Sequence, residues 1–113
     1  QSAPKYVQVK IKKSIKASSE TLYHASVHSF VHSVNYAEDL ENLYKMTFFI
    51  LQAKYFVETS VYIKTKNELL ESLQGADREI LNICINRKEI KSNEKSELEN
   101  LYKKLIDWIV KNI

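Results

Sequence analysis

A chain of 113 residues falls in the size range of one domain and is long enough to bury a core without disulfides or a structural metal. Hydrophobic residues at 44% and charged residues at 27% argue against disorder, and no apolar run nears the roughly 20 residues a bilayer span needs. A net charge of +3, with 17 basic residues diluted by 14 acidic ones along the chain, argues against a dedicated nucleic-acid surface.

Sheets and tight turns consume glycine and proline, so one glycine (Gly75) and one proline (Pro4) favour helices. From Lys5 to about Val34, Val7, Ile11, Ile15, Leu22 and Ala25 recur at helical spacings, which predicts one long helix. Val7, Val9 and Ile11 alternate with Gln8, Lys10 and Lys12, so a strand remains a minority reading there. Ser18, Ser19, Ala25, Ser26 and Ser29 keep the helix slim enough for a neighbour to approach closely. Asn35 is placed to cap a second helix, with Glu38 and Asp39 in its first turn. One stripe of that helix holds Leu43, Met46, Phe49, Ile50, Ala53, Phe56 and Val57, and another holds Tyr44, Phe48, Leu51 and Tyr55. A helix apolar on most of its circumference is expected at the centre of the fold.

The pattern breaks over 58–64, and Thr65 with Glu68 has the form of a reciprocal capping box opening a short helix to about Leu73. Gly75 is expected as the left-handed cap ending that helix, and Asp77 as the cap of a fourth carrying Ile80, Leu81 and Cys84. The polar run 86–93 reads as a loop. A last helix, about 93–112, groups Leu98, Leu101, Tyr102, Leu105, Trp108 and Ile109 on one face. The expected fold is therefore all-α: an up-and-down bundle of about four principal helices plus a short one, a single domain over residues 1–113.

The lone Cys84 lies among Ile80, Leu81, Ile83 and Ile85, where packing is favoured over nucleophilic chemistry. No signal-peptide pattern is visible, so a cytoplasmic location is expected, and Gln1 in place of an initiating methionine suggests a processed chain or a fragment. One glycine and one cysteine rule out a nucleophile elbow, a phosphate-binding glycine loop and a zinc ribbon. Neither Arg78 nor Arg87 is followed by the histidine of helical ribonucleases, and Trp108 and the tyrosines fit packing better than base stacking.

His24, His28 and His32 stand four residues apart on one helical face, a spacing at which neighbouring imidazoles can share a metal. No partner motif on another helix supplies a third ligand, so a polar face or partner contact is preferred and no metal site is assigned. The same face carries Lys13, Lys16 and Glu20. A solvated ribbon is the plain reading. The sharper one is a substrate cleft in which Lys13, Lys16, His24 and His28 bind substrate, the lysines attracting phosphate, while Glu20 accepts a hydroxyl proton.

The segment from Ala53 to Leu70 (AKYFVETSVYIKTKNELL) resembles the C-terminal helical domains of small-molecule nucleotidyltransferases, the aminoglycoside nucleotidyltransferases among them. Those domains run from a buried aromatic helix through a threonine-glycine turn to an aromatic residue and then a Thr-Lys or Ser-Lys pair opening a short helix. Here Ser60 stands in the glycine's place. The bundle order and the helix over 77–85 extend the likeness loosely over most of the chain. The resemblance implies a substrate-binding and dimerising bundle beside an N-terminal nucleotidyltransferase domain. That domain would hold the Gly-Ser motif, the metal-binding aspartates, Mg and the nucleoside triphosphate, with no cofactor in this chain. Some relatives take their catalytic carboxylate from a segment similar to Ser19-Glu20-Thr21-Leu22-Tyr23, which makes Glu20 the one position carried over. Implied partners are that domain, a small-molecule acceptor and a second copy of the chain, with neither nucleic acid nor membrane. The alternative is a non-enzymatic helical interaction module, antitoxin-like or regulatory, suggested by apolar residues on the second helix and on the Tyr102/Ile106/Val110 flank of the last, beyond what one small bundle needs.

Overall fold

The computed structural model describes residues 4–113; Gln1 lies outside them. Five α-helices follow one another: α1 (Lys5–His32), α2 (Tyr36–Thr59), α3 (Lys66–Ser72), α4 (Gly75–Ile85) and α5 (Lys95–Val110), with a 3₁₀ segment (Arg87–Ser92) between the last two. The described residues contain no strand, and the architecture is the expected all-α bundle. The stretch Val7–Ile11 is helical. At 1.5 Å per residue the 28 residues of α1 span about 42 Å, which accounts for most of the molecule's 46 Å long axis.

The packing centres on α2, which contacts α1, α4, α5 and the 3₁₀ segment. Leu40, Leu43, Tyr44, Phe48, Ile50 and Leu51 of α2 are buried against Leu22, Leu69, Ile80, Leu81, Tyr102, Leu105 and Ile109 from the surrounding helices. Cys84 is fully buried in this core as a free thiol. The cover over α2 is incomplete: Met46 is 41% and Phe49 63% exposed.

Local chemistry explains most helix ends. The α1 helix stops at His32, two residues earlier than expected, because Ser33 is extended and its Oγ accepts the Asn35 N–H (3.0 Å). Asn35 caps α2 by accepting the Glu38 N–H (3.2 Å). At the other end Ser60 closes α2 in the left-handed region (φ 62°, ψ 15°), its N–H bonded to the Phe56 carbonyl (2.7 Å). A non-glycine residue carries a steric cost in that conformation. Gln52 Nε2 then donates to the Ile63 carbonyl (2.7 Å) and pins the connection to α3.

Several local expectations need correction. Thr65 does accept the Glu68 N–H (3.3 Å), but the Glu68 carboxylate takes the threonine hydroxyl (2.8 Å) instead of reaching a backbone N–H. Gly75 has the expected positive φ of 64°, yet it opens α4 and does not close α3. The α3 helix ends where Leu73 turns extended and becomes buried, with its N–H bonded to the Leu70 carbonyl (3.3 Å). Asp77 lies in the first turn of α4 and caps nothing; its carboxylate reaches sideways to Lys54 and Trp108. The polar run 86–93 is wound into the 3₁₀ segment because Ile90 is drawn into the core at 3% exposure. A reciprocal capping box between Glu94 and Glu97 starts α5 two residues later than expected.

Asp77 Oδ2 receives Lys54 Nζ at 2.9 Å, and its Oδ1 receives Trp108 Nε1 at 2.8 Å, so one carboxylate joins α2, α4 and α5. Asp77→Ala is expected to lower the unfolding free energy by about 2 kcal/mol in a urea titration, since it strips a part-buried indole N–H of its acceptor and an ammonium of its counter-ion. Ser60→Gly, which relieves the left-handed backbone, is expected to raise it by about 0.5 kcal/mol in the same measurement.

Candidate functional site

The slim middle of α1 determines what its two faces do. Its buried residues are Ser19, Leu22 and Ser26, and the Oγ atoms of Ser19 and Ser26 have no hydrogen-bond partner. Lys13, Lys16, Glu20, His24 and His28 recur every three or four residues on the face opposite Leu22, and all five are exposed. Fifteen residues separate the ends of this row, so the ribbon runs about 22 Å along the outer surface of the bundle. Ion pairs among the described residues join Lys54 to Asp77 and Lys104 to Glu79, and neither involves the ribbon.

The charge distribution along α1 is strongly graded. From Lys5 to Ser19 the helix carries five lysines and no carboxylate, and Glu20 is the first acidic residue of the chain. Lys16 borders a cleft of about 360 Å³ lined also by Lys12, Lys54, Glu58 and Lys111, where α1 meets the ends of α2 and α5. On the other side of Glu20, the His24 ring meets Tyr23 edge-on (5.7 Å), and the His28 and His32 rings are 4.8 Å apart. Among the described residues no group of three or more His, Cys, Asp or Glu side chains could hold a metal ion. The ribbon thus presents an exposed carboxylate between a cationic half-helix and an imidazole row. To act as a general base it needs a second body that excludes solvent and brings an electrophile.

The inner polar groups behave differently. Ser29 Oγ donates to Asp39 Oδ2 (3.0 Å) and lies 2.6 Å from Tyr102 Oη; because the serine proton is committed to the aspartate, the phenol donates to the serine. The relay ties α1 to α2 and α5. Burial holds the Tyr102 phenol above its ordinary range, and the charge of Asp39 acts in the same direction. Tyr44 Oη donates to the Leu101 carbonyl (2.7 Å), and burial, then the charge of Glu79, pushes its phenol up further. Ser29 and Tyr102 are 73 residues apart, and no spacing rule connects them. These groups are saturated by partners within the fold and serve cohesion.

No protein-family model, curated protein or solved structure matches the chain.

A tyrosine whose folded-state pKa is raised contributes stability that is complete below the unfolded value of 10.0 and is lost as pH rises beyond it. The unfolding free energy is therefore expected to fall above about pH 10. Tyr44→Phe, measured by denaturant titration at each pH, should cost about 1 kcal/mol near neutrality and show a shallower alkaline decline.

Proposed function

We propose that this chain is the accessory, acceptor-binding helical half of a two-part nucleotidyltransferase that transfers a nucleotidyl group to the hydroxyl of a small molecule. The observation that carries the reading is the ribbon on α1: Glu20, flanked by Lys13, Lys16, His24 and His28, is exposed on the outer face of the bundle. In this reading a nucleotidyltransferase domain closes over that face. Glu20 accepts the proton of the acceptor hydroxyl, His24 and His28 position the acceptor, and the lysines draw in phosphate. In this reading Mg and the nucleoside triphosphate belong to the other domain.

The turn after α2 also supports the reading. Ser60 adopts the left-handed conformation at the place where the domains this segment resembles carry glycine, and the Thr65-Lys66 pair opens α3 after the four-residue connection 61–64. A second reading, a non-enzymatic interaction module, is favoured by the exposed Met46 and Phe49, which a self-sufficient bundle would have covered.

Sequencing on the 5′ side of the Gln1 codon and through the adjacent reading frames is expected to reveal a Gly-Ser motif followed by paired aspartates. With that domain present, Glu20→Gln is expected to lower kcat for nucleotidyl transfer by roughly 10²- to 10⁴-fold while leaving the KM for the nucleotide unchanged. Unaltered kcat would remove Glu20 from the chemistry, and neighbouring frames without the motif would favour the interaction module.

A further inference from the structure

We infer that His28 and His32 form a two-ligand site for a borderline divalent cation such as Zn²⁺, on the outer face of α1 near the α1/α2 corner. The inference goes beyond the proposed function and does not rest on it. The sequence places three histidines at equal spacings, and the structure singles out two of them. The His28 and His32 rings lie 4.8 Å apart, tilted by 45°. The His24 ring is instead set edge-on to Tyr23 at 5.7 Å. Two imidazole nitrogens about 2.0–2.1 Å from one Zn²⁺ put their ring centres about 5.2 Å apart at the tetrahedral angle and about 4.5 Å apart at a right angle. The observed separation falls between the two, so the pair already stands at the bite of a single ion.

Both rings are exposed, and neither takes part in a hydrogen bond or ion pair among the described residues, which leaves their nitrogens free to turn toward a metal. The surrounding charge suits a cation. His32 is the last residue of α1, at the negative end of the helix macrodipole. From Ala17 to Tyr44 the chain has four carboxylates and no lysine or arginine, and Lys16 lies about 18 Å along the helix before His28. Lys95 of α5 borders Ser33 and Val34 at the corner, a single positive charge. Imidazole suits Zn²⁺, Cu²⁺ and Ni²⁺, whereas Mg²⁺ takes oxygen ligands. Among the described residues no third His, Cys, Asp or Glu joins the pair. Two tetrahedral positions therefore stay open to water or to a donor atom of an incoming molecule.

Calorimetric titration of Zn²⁺ into the chain at about pH 7.5 is expected to show one ion bound per chain, and Mg²⁺ at the same concentrations none. In proton–nitrogen correlation spectra of the imidazoles, Zn²⁺ should move the His28 and His32 ring signals and leave those of His24 in place. His28→Ala and His32→Ala should each weaken Zn²⁺ binding by about tenfold or more, since each removes one of two ligands. His24→Ala should leave it unchanged. All three positions are exposed, so the helical circular dichroism should not move in any variant. Absence of Zn²⁺ binding would overturn the inference. So would binding that survives both His28→Ala and His32→Ala, or that His24→Ala weakens as much as they do.

Discussion

Everything in this fold answers to the need to cover α2. A 24-residue helix with two adjacent apolar stripes cannot present a solvated face of ordinary size, so it must be wrapped. The bundle achieves this with α1, α4, α5 and a 3₁₀ segment, each offering one apolar edge. The polar atoms that become buried on α2 are satisfied close by: the Thr47 hydroxyl donates to the Tyr44 carbonyl (2.7 Å), and the Tyr44 hydroxyl to the Leu101 carbonyl (2.7 Å). Unsatisfied, each would cost free energy on the scale of a lost hydrogen bond.

The same requirement separates the polar residues into two groups. Asp39, Asp77, Tyr44 and Tyr102 lie where helices meet, and their hydrogen bonds are spent on joining elements. The residues on which the proposed function rests lie on the outer side of α1, because that helix contributes only a narrow inner edge around Leu22 and two serines. Among the described residues the buried polar side chains outside the apolar core are Ser19, Ser26, Thr47 and Gln52, none of them charged. The exterior offers Glu20 between lysines and histidines, in a setting that only an added body could turn into an active site. Where the wrapping of α2 runs short, at Met46 and Phe49, the surface changes from polar to apolar beside a groove.

Much of this was legible from local patterns. The helical periodicity around Leu22, the Asn35 cap and the polar ribbon opposite Leu22 all follow from residues within a few positions of one another, where backbone geometry dictates neighbours. The misplaced roles share a cause. Gly75 and Asp77 were expected to serve the nearest helix ends, but Leu73, extended and buried, closed α3 at its expected end without the glycine, and Lys54 and Trp108 claimed the Asp77 carboxylate. The polar run 86–93 likewise reads as a loop, but burial of Ile90 winds it into the 3₁₀ segment. In each case a tertiary contact outweighed a local preference of about one kcal/mol.

By itself the sequence determined that this chain is helical, that its second helix lies at the centre, and that Lys13, Lys16, Glu20, His24 and His28 share a face. These properties rest on a period of 3.6 residues and on the scarcity of glycine and proline, which are local quantities. Only the tertiary structure decided which way that face points, which carboxylates are consumed by cohesion, and where α2 is left uncovered. Those outcomes depend on contacts between residues as distant as Ser29 and Tyr102, and hydrophobic burial, being non-directional, leaves no mark of such pairings in the order of the chain.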